Sequence, residues 1–114
     1  TINIIEPNED YDKKIYYLLN KLKNAKNIGI IISIKPGQYY YQESIKIKKI
    51  LEKKGKNVYL FLSDTINFLD LKNFIYIDFW IFSACPRIID DILDSEINGL
   101  PINEVIKNLS MVLD

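Results

Sequence analysis

Cys85 and Arg87, in "SACPR", are the residues of this chain best equipped for chemistry. Each is alone of its kind: there is one cysteine, and one arginine among fifteen basic residues of which all the others are lysine. A thiolate is a nucleophile or a ligand for soft metals, and a cationic neighbour favours that form over the thiol. A guanidinium offers carboxylates a planar fork that lysine cannot imitate. Pro86 has no N–H for a ladder and stops a strand, which sets Cys85 at a sheet edge and not in mid-strand. Each residue also has a plainer reading. Cysteine commonly fills a core as a small hydrophobe, and Arg87 is placed to pair with Asp90, Asp91 or Asp94.

The rest of the composition narrows the chemistry. There is no histidine, which excludes a Cys-His protease and any zinc site of mixed Cys and His ligands. Arg87 follows too closely on Cys85 for the phosphate-cradling loop of thiol phosphatases. A single cysteine forms neither a C-x-x-C redox pair nor an internal disulfide. It can still supply one ligand to a larger metal site completed from elsewhere. A second candidate segment is "KPGQ", where Lys35 brings a point charge, Gly37 a backbone that a ligand can approach, and Gln38 an amide that donates and accepts. Its plainer reading is a turn after a strand.

Elements that would position these residues follow from periodicity. In "YDKKIYYLLNKLKNAK", Ile15, Leu18, Leu19, Leu22 and Ala25 recur at helical spacing, with Asn8 or Asp10 as cap. "NIGIIISI" is a continuous β-branched run, the signature of a strand covered on both faces in a parallel sheet. "QESIKIKKILEKKG" returns to helical spacing through Ile47, Ile50 and Leu51 and ends at Gly55. "NVYLFL" predicts a second strand, "SDTINFLDLKNF" a short helix capped by Asp64 or Thr65 with Ile66, Leu69 and Phe74 in the core, and "IYIDFWIFS" a third strand that carries Trp80 into the core. "INGLP" reads as a loop, and a final helix in "INEVIKNLSMVL" buries Ile102, Val105, Ile106, Leu109 and Leu113. This alternation predicts a three-layer α/β domain, with a mainly parallel sheet of about four strands flanked by helices. "KPGQ", "SDT" and "SACPR" then share the carboxyl edge of the sheet, where open parallel sheets bind ligands.

The 114 residues, 48% of them apolar and 26% charged, suit one globular domain over 1–114. Residues 1–9 could also be a linker from a preceding domain, and the start at Thr1 favours a piece of a longer protein. Fifteen basic and fifteen acidic residues give no net field to attract nucleic acid or an anionic membrane. No apolar run approaches the ~20 residues of a membrane span, and no secretory signal opens the chain. A cytoplasmic protein with no nucleic-acid or membrane partner is expected.

"IDFWIFSACPRIIDD" resembles the signature of diphthamide synthase, the archaeal and eukaryotic family that begins modification of a histidine on translation elongation factor 2. Members carry Ile-Asp-x-Trp/Tyr-Val, then Ala-Cys-Pro-Arg, then an apolar stretch and an Asp; Phe82 and Asp90 depart from the common pattern. "AKNIGIIISIKPGQ" resembles the family's Ala-Lys-x-x-Gly-Ile strand and its Lys-Pro-Gly-Gln turn. "ILEKKGKNVYLFLSDTINFLDLKNF" resembles its Lys-Gly-Lys segment and the Leu-x-Asn-Phe before the signature strand, and "GLPINEV" is weakly similar to a later region.

The resemblance implies the third of three similar α/β domains, each giving one cysteine to a shared [4Fe-4S] cluster, with Cys85 at the matching position. It implies a radical-SAM enzyme of unconventional type, without the Cys-x3-Cys-x2-Cys signature, that transfers a 3-amino-3-carboxypropyl group from S-adenosylmethionine to elongation factor 2. Lys35, Gly37, Gln38 and Arg87 are the expected cofactor-binding residues; no catalytic residue is assigned. The implied partners are elongation factor 2, the remaining domains of the enzyme and a second subunit of a homodimer. One cysteine cannot hold four irons, so the chain alone is expected to be inactive. The alternative is a stand-alone α/β binding or assembly module that lacks catalysis.

Overall fold

A computed structural model describes residues 9–33, 41–63, 68–83, 92, 95 and 97–113. Four strands, β1 (Asn27–Ser33), β2 (Asn57–Ser63), β3 (Phe79–Ser83) and β4 (Gly99–Pro101), pair in the order β2-β1-β3-β4, and every pairing is parallel. The central strands β1 and β3 are buried almost throughout, as continuous apolar runs require, whereas the edge strand β2 leaves Leu62 exposed.

One face of the sheet is covered by α1 (Glu9–Asn24), α2 (Tyr41–Lys53), α4 (Ile102–Lys107) and α5 (Leu109–Leu113). The expected stripe of α1, Ile15, Leu18, Leu19, Leu22 and Ala25, lies here with Ile47 and Leu51 of α2. Gly55 ends α2 at φ +85°, and the N–H groups of Gly55 and Lys56 reach back to the carbonyls of Glu52 and Leu51 at 3.0 and 3.2 Å, a Schellman closure. The opposite face is aromatic. Trp80 and Phe82 are buried there with Ile31, Leu71, Ile77 and Ile92, and Phe61 and Phe74 pack against them. Apolar clusters on both faces give the three layers that the alternation of helix and strand predicts.

Trp80 has its space because Gly29 stands opposite it in the β1–β3 ladder. A Cβ at Gly29 would lie 2.5 Å from the indole. The indole is wedged between Phe61 and Phe74, with ring centroids 5.2 and 5.9 Å away. Trp80 is 3% exposed, in the core as expected.

Several expectations are corrected. Residues 99–101 form a strand and not a loop: Gly99 is there for close packing, since a Cβ would meet the Phe82 ring at 2.7 Å, and Pro101 is tolerated because β4 is an edge strand. The third strand starts at Phe79, with Ile75 and Tyr76 exposed before it in a turn closed by the Ile77 N–H on the Phe74 carbonyl. In α3 (Phe68–Leu71), a single turn, Leu71 is buried and Leu69 is 72% exposed. The two stand about 200° apart on a helix, so one turn cannot bury both. The last helix breaks at Asn108, whose side-chain amide donates to the Glu104 carbonyl. Ile106, before the break, is exposed, and Val112, beyond it, is in the core. Asp10 lies inside α1 and does not cap it. Asn8, Asp64, Thr65 and Ile66 fall outside the described residues, as does the side chain of Leu113.

Candidate functional site at the carboxyl edge

The path of the chain singles out one crevice. After β1 it passes to α2 on the helical face, whereas after β3 it passes to Ile92 on the aromatic face. β1 and β3 are neighbours, so their carboxyl ends flank the point where the winding of the sheet reverses. Strand ends diverge to opposite sides there, and open α/β sheets bind ligands in the gap. The segment 34–40 follows β1 and the segment 84–91 follows β3. All five site residues expected from sequence, Lys35, Gly37, Gln38, Cys85 and Arg87, belong to these two segments, which lie outside the described residues. What the structure describes is the frame from which they depart.

That frame ends in hydroxyls. β1, β2 and β3 each finish on a serine, with Ser33 paired to Ser63 and Ser83 to Ile32. Ser33, Ser83 and Ser44, the last on the first turns of α2, are the buried polar residues among those described. Burying a hydroxyl is costly unless it is hydrogen-bonded, and Ser44 Oγ donates to Ser83 Oγ at 2.8 Å with both residues fully buried. Cys85 follows Ser83 by two positions, a reach of at most about 7 Å. Sequence reasoning missed this pair. The available signal was Ser44 on the stripe it shares with Ile47 and Leu51, a polar residue where a helix buries apolar ones.

The amino edge is built differently. Asp78 Oδ2 accepts from the backbone N–H groups of Lys26 and Asn27 at 3.2 and 3.0 Å. Lys56 Nζ donates to the Lys23 and Ala25 carbonyls, both at 2.7 Å, at the end of α1. Burial holds the Lys56 ammonium below its ordinary pKa, because leaving water penalises the charged form. Both clamps join side chains to backbone amides and carbonyls of neighbouring elements.

The donor chemistry permits a limited role toward a metal. One cysteine and no histidine are present in the chain, and no cluster of three His, Cys, Asp or Glu residues occurs among the described residues. A single thiol without an imidazole cannot complete a metal site of cysteine and histidine ligands within this chain. No helix among the described residues is long and apolar enough to cross a membrane.

Residues 4–96 match the model of the family described as "Putative diphthamide synthesis protein". The chain is 34% identical over 88 residues to the 2-(3-amino-3-carboxypropyl)histidine synthase of Pyrococcus horikoshii, which covers 76% of this chain and 25% of that protein. It is 32% identical over 82 residues to subunit 2 of the same synthase from Danio rerio, covering 72% of this chain and 16% of the relative. The crystal structure of Dph2 from Pyrococcus horikoshii superposes with a TM-score of 0.77 at 30% identity, over 95% of this chain and 30% of that one. The structure of the same protein with a 4Fe-4S cluster gives a TM-score of 0.78 at 32% identity, over 94% and 30%. The chain thus spans a quarter or less of the curated relatives it matches. With most of its length matched by the family model and its fold shared with a solved member, this chain belongs to the diphthamide synthesis protein family.

Proposed function

We propose that this chain is the cluster-ligating third domain of an enzyme that transfers a 3-amino-3-carboxypropyl group from S-adenosylmethionine to a histidine of translation elongation factor 2, the first step of diphthamide synthesis. The observation that carries this reading is the likeness, over 94% of the chain, to a structure that holds a 4Fe-4S cluster. The winding reversal between β1 and β3 supports it, because the two segments that carry the expected site residues follow the neighbouring strand ends that flank it.

Cys85 supplies one thiolate, and the other ligands come from further domains of the same enzyme. A bound cluster supplies the single electron that cleaves a sulfonium. Arg87 presents its fork to the carboxylate of the aminocarboxypropyl group, and its charge keeps Cys85 in the ligating form. Gly37 admits the backbone close to the bound molecule, with Lys35 and Gln38 giving it a charge and an amide. Elongation factor 2 approaches this edge as protein substrate, and the complete enzyme works as a homodimer in the cytoplasm.

Anaerobic reconstitution of the full-length gene product tests the assignment. The native protein is expected to take up iron and sulfide with the broad brown absorbance of a cluster, and Cys85→Ala to lose both the absorbance and the transfer of the aminocarboxypropyl group. Unchanged absorbance in Cys85→Ala would sink the ligand assignment. A native product of this short length that takes up no cluster would favour a binding or assembly module.

A further inference from the structure

Four successive apolar residues, Phe74, Ile75, Tyr76 and Ile77, make the turn before β3. Phe74 and Ile77 turn inward, whereas Tyr76 is half exposed and Ile75 is 90% exposed. Apolar residues exposed singly carry no meaning, but a contiguous patch does. This one is contiguous. Tyr59 of β2 meets the Tyr76 ring at 5.7 Å, Tyr76 meets Phe74 at 6.2 Å, and Phe74 meets Trp80 at 5.9 Å, so a row of rings leads from the surface into the aromatic core. Beside it lies a cavity of about 200 Å³, walled by Leu71, Phe74, Ile77 and Ile97, with the exposed Ile75 at its mouth and the buried Trp80 at its floor. The indole N–H of Trp80 has no acceptor among the described residues. Among those residues no side-chain nitrogen or oxygen sealed from solvent lacks a partner, so this N–H is not sealed and opens on the cavity that its residue lines. The ring geometry agrees: the Cε3–Cζ3 edge is the one that a Cβ on Gly29 would meet, and the N–H lies on the other side of the indole, directed away from β1.

We propose that this cavity is a docking socket for one large aliphatic or aromatic side chain from a neighbouring domain of the same polypeptide, with a peptide carbonyl of that domain accepting from the Trp80 indole N–H. This rests on the reading of the chain as one domain of a longer enzyme. Size favours a side chain, since pockets for small molecules and cofactors run from about 300 Å³ upward. Charge favours a neutral occupant. The exposed Lys72 and Asp78 at the cavity are of opposite sign, and Asp78 already accepts from the N–H groups of Lys26 and Asn27. A lone N–H at an apolar floor asks for a neutral acceptor, and every side chain that a polypeptide inserts brings peptide carbonyls with it. Ile75 and Tyr76 then ring the anchor and keep water from it, as the surroundings of a central interface residue do. The source follows from length: the chain spans a quarter or less of the curated relatives it matches, and domains tethered to it meet this face at high effective concentration.

The full-length gene product, carrying the photo-crosslinker p-benzoylphenylalanine in place of Ile75, identifies the occupant. After irradiation, mass spectrometry is expected to find position 75 joined to an apolar segment of the same polypeptide outside residues 1–114, with no added mass on a denaturing gel. Ile75→Lys reads the hydrogen bond, because a lysine at the mouth would have to lose its hydration for the socket to close. With ¹⁵N-labelled tryptophan, and the signal identified by its loss in Trp80→Phe, the Trp80 indole N–H is expected to exchange with solvent about tenfold faster in Ile75→Lys than in native protein, close to the worth of one net hydrogen bond. The backbone amides of β1 and β3 are the control and should keep their native exchange, since Ile75 is outside the core. Crosslinks that fall within residues 1–114, on a second copy or on nothing overturn the proposal, as does indole exchange equal in native protein and variant. A gene product no longer than this chain would overturn the reading on which the proposal rests, whereas a longer product with an uncovered socket sinks the proposal alone.

Discussion

The two edges of the sheet use polar groups in opposite ways. At the amino edge, Asp78 and Lys56 reach backbone amides and carbonyls of segments distant in sequence, closing α1, β1, β2 and β3 onto one another. At the carboxyl edge, the buried polar groups among the described residues are seryl hydroxyls, small and uncharged, and two of them bind each other. Charged side chains clamp the elements together at the amino edge. Small hydroxyls finish the strands at the carboxyl edge, the edge at which open parallel sheets bind ligands. The difference assigns separate duties to residues that sit together in the family-like segments. In "AKNIG" and "KGKN" and in the Asp and Trp of "IDFW", the matched residues are scaffold; the function proposed above gives the chemistry to "SACPR" and "KPGQ".

If that division is right, amino-edge variants change stability and leave Cys85 chemistry in the folded protein alone. The largest effect is expected at the Trp80 slot. Trp80→Ala empties a site filled by an indole 3% exposed, and a change of this kind costs about 3–5 kcal/mol. Gly29→Ala attacks the same contact from the other side by overpacking, at about 1–3 kcal/mol, because the indole is braced by Phe61 and Phe74 and cannot retreat. Combining Gly29→Ala with Trp80→Leu sharpens the point: the two are expected to couple by roughly 1 kcal/mol or more in denaturant unfolding. Strict additivity would show that the glycine is there for another reason.

How much of this was legible in the sequence depends on how local the cause is. The stripe of α1 and the continuous run of β1 are written in neighbouring residues, and both stand as expected. β4 was illegible because Gly-Leu-Pro has the composition of a turn; only the adjacent β3 makes it a strand. Leu69 was misplaced because helical periodicity does not say where a helix stops. Cys85 and Arg87 stood out through rarity and through a resemblance that no spacing argument could replace. The Ser44–Ser83 pair joins residues 39 apart, and serine is so common that neither partner draws attention alone.

Asp78 offers the next test, of intermediate size. Its carboxylate satisfies two N–H groups that precede or open β1, and Asp78→Ala is expected to cost about 1–2 kcal/mol. Hydrogen exchange localises the effect: the amides of Lys26 and Asn27 should exchange faster, while those inside β1 and β3 change only as far as global stability falls. Exchange that quickens evenly along β1 would mean that Asp78 does not act as a local clamp.

The smallest effect, and the most specific, is a pH dependence at Lys56. Its native pKa is lowered by burial from the ordinary 10.5. Between the lowered value and 10.5 the unfolded chain therefore binds more protons at this site than the native one, and stability rises with pH across that window. The contribution is fully present above 10.5 and is lost as pH falls through the lowered native value. Lys56→Met removes the titrating group together with its bonds to the Lys23 and Ala25 carbonyls. Near neutral pH the lost bonds and the relieved desolvation oppose each other, so the net change in stability is expected to be small. Approaching pH 10.5 the native protein should gain on the variant, seen as a steeper rise of the unfolding midpoint with pH. Parallel profiles would show that the ammonium is as well solvated in the fold as in the open chain. The carboxyl edge gives the matching control, since Ser44 and Ser83 do not titrate in this range and the Ser44→Ala, Ser83→Ala double variant should follow the native slope.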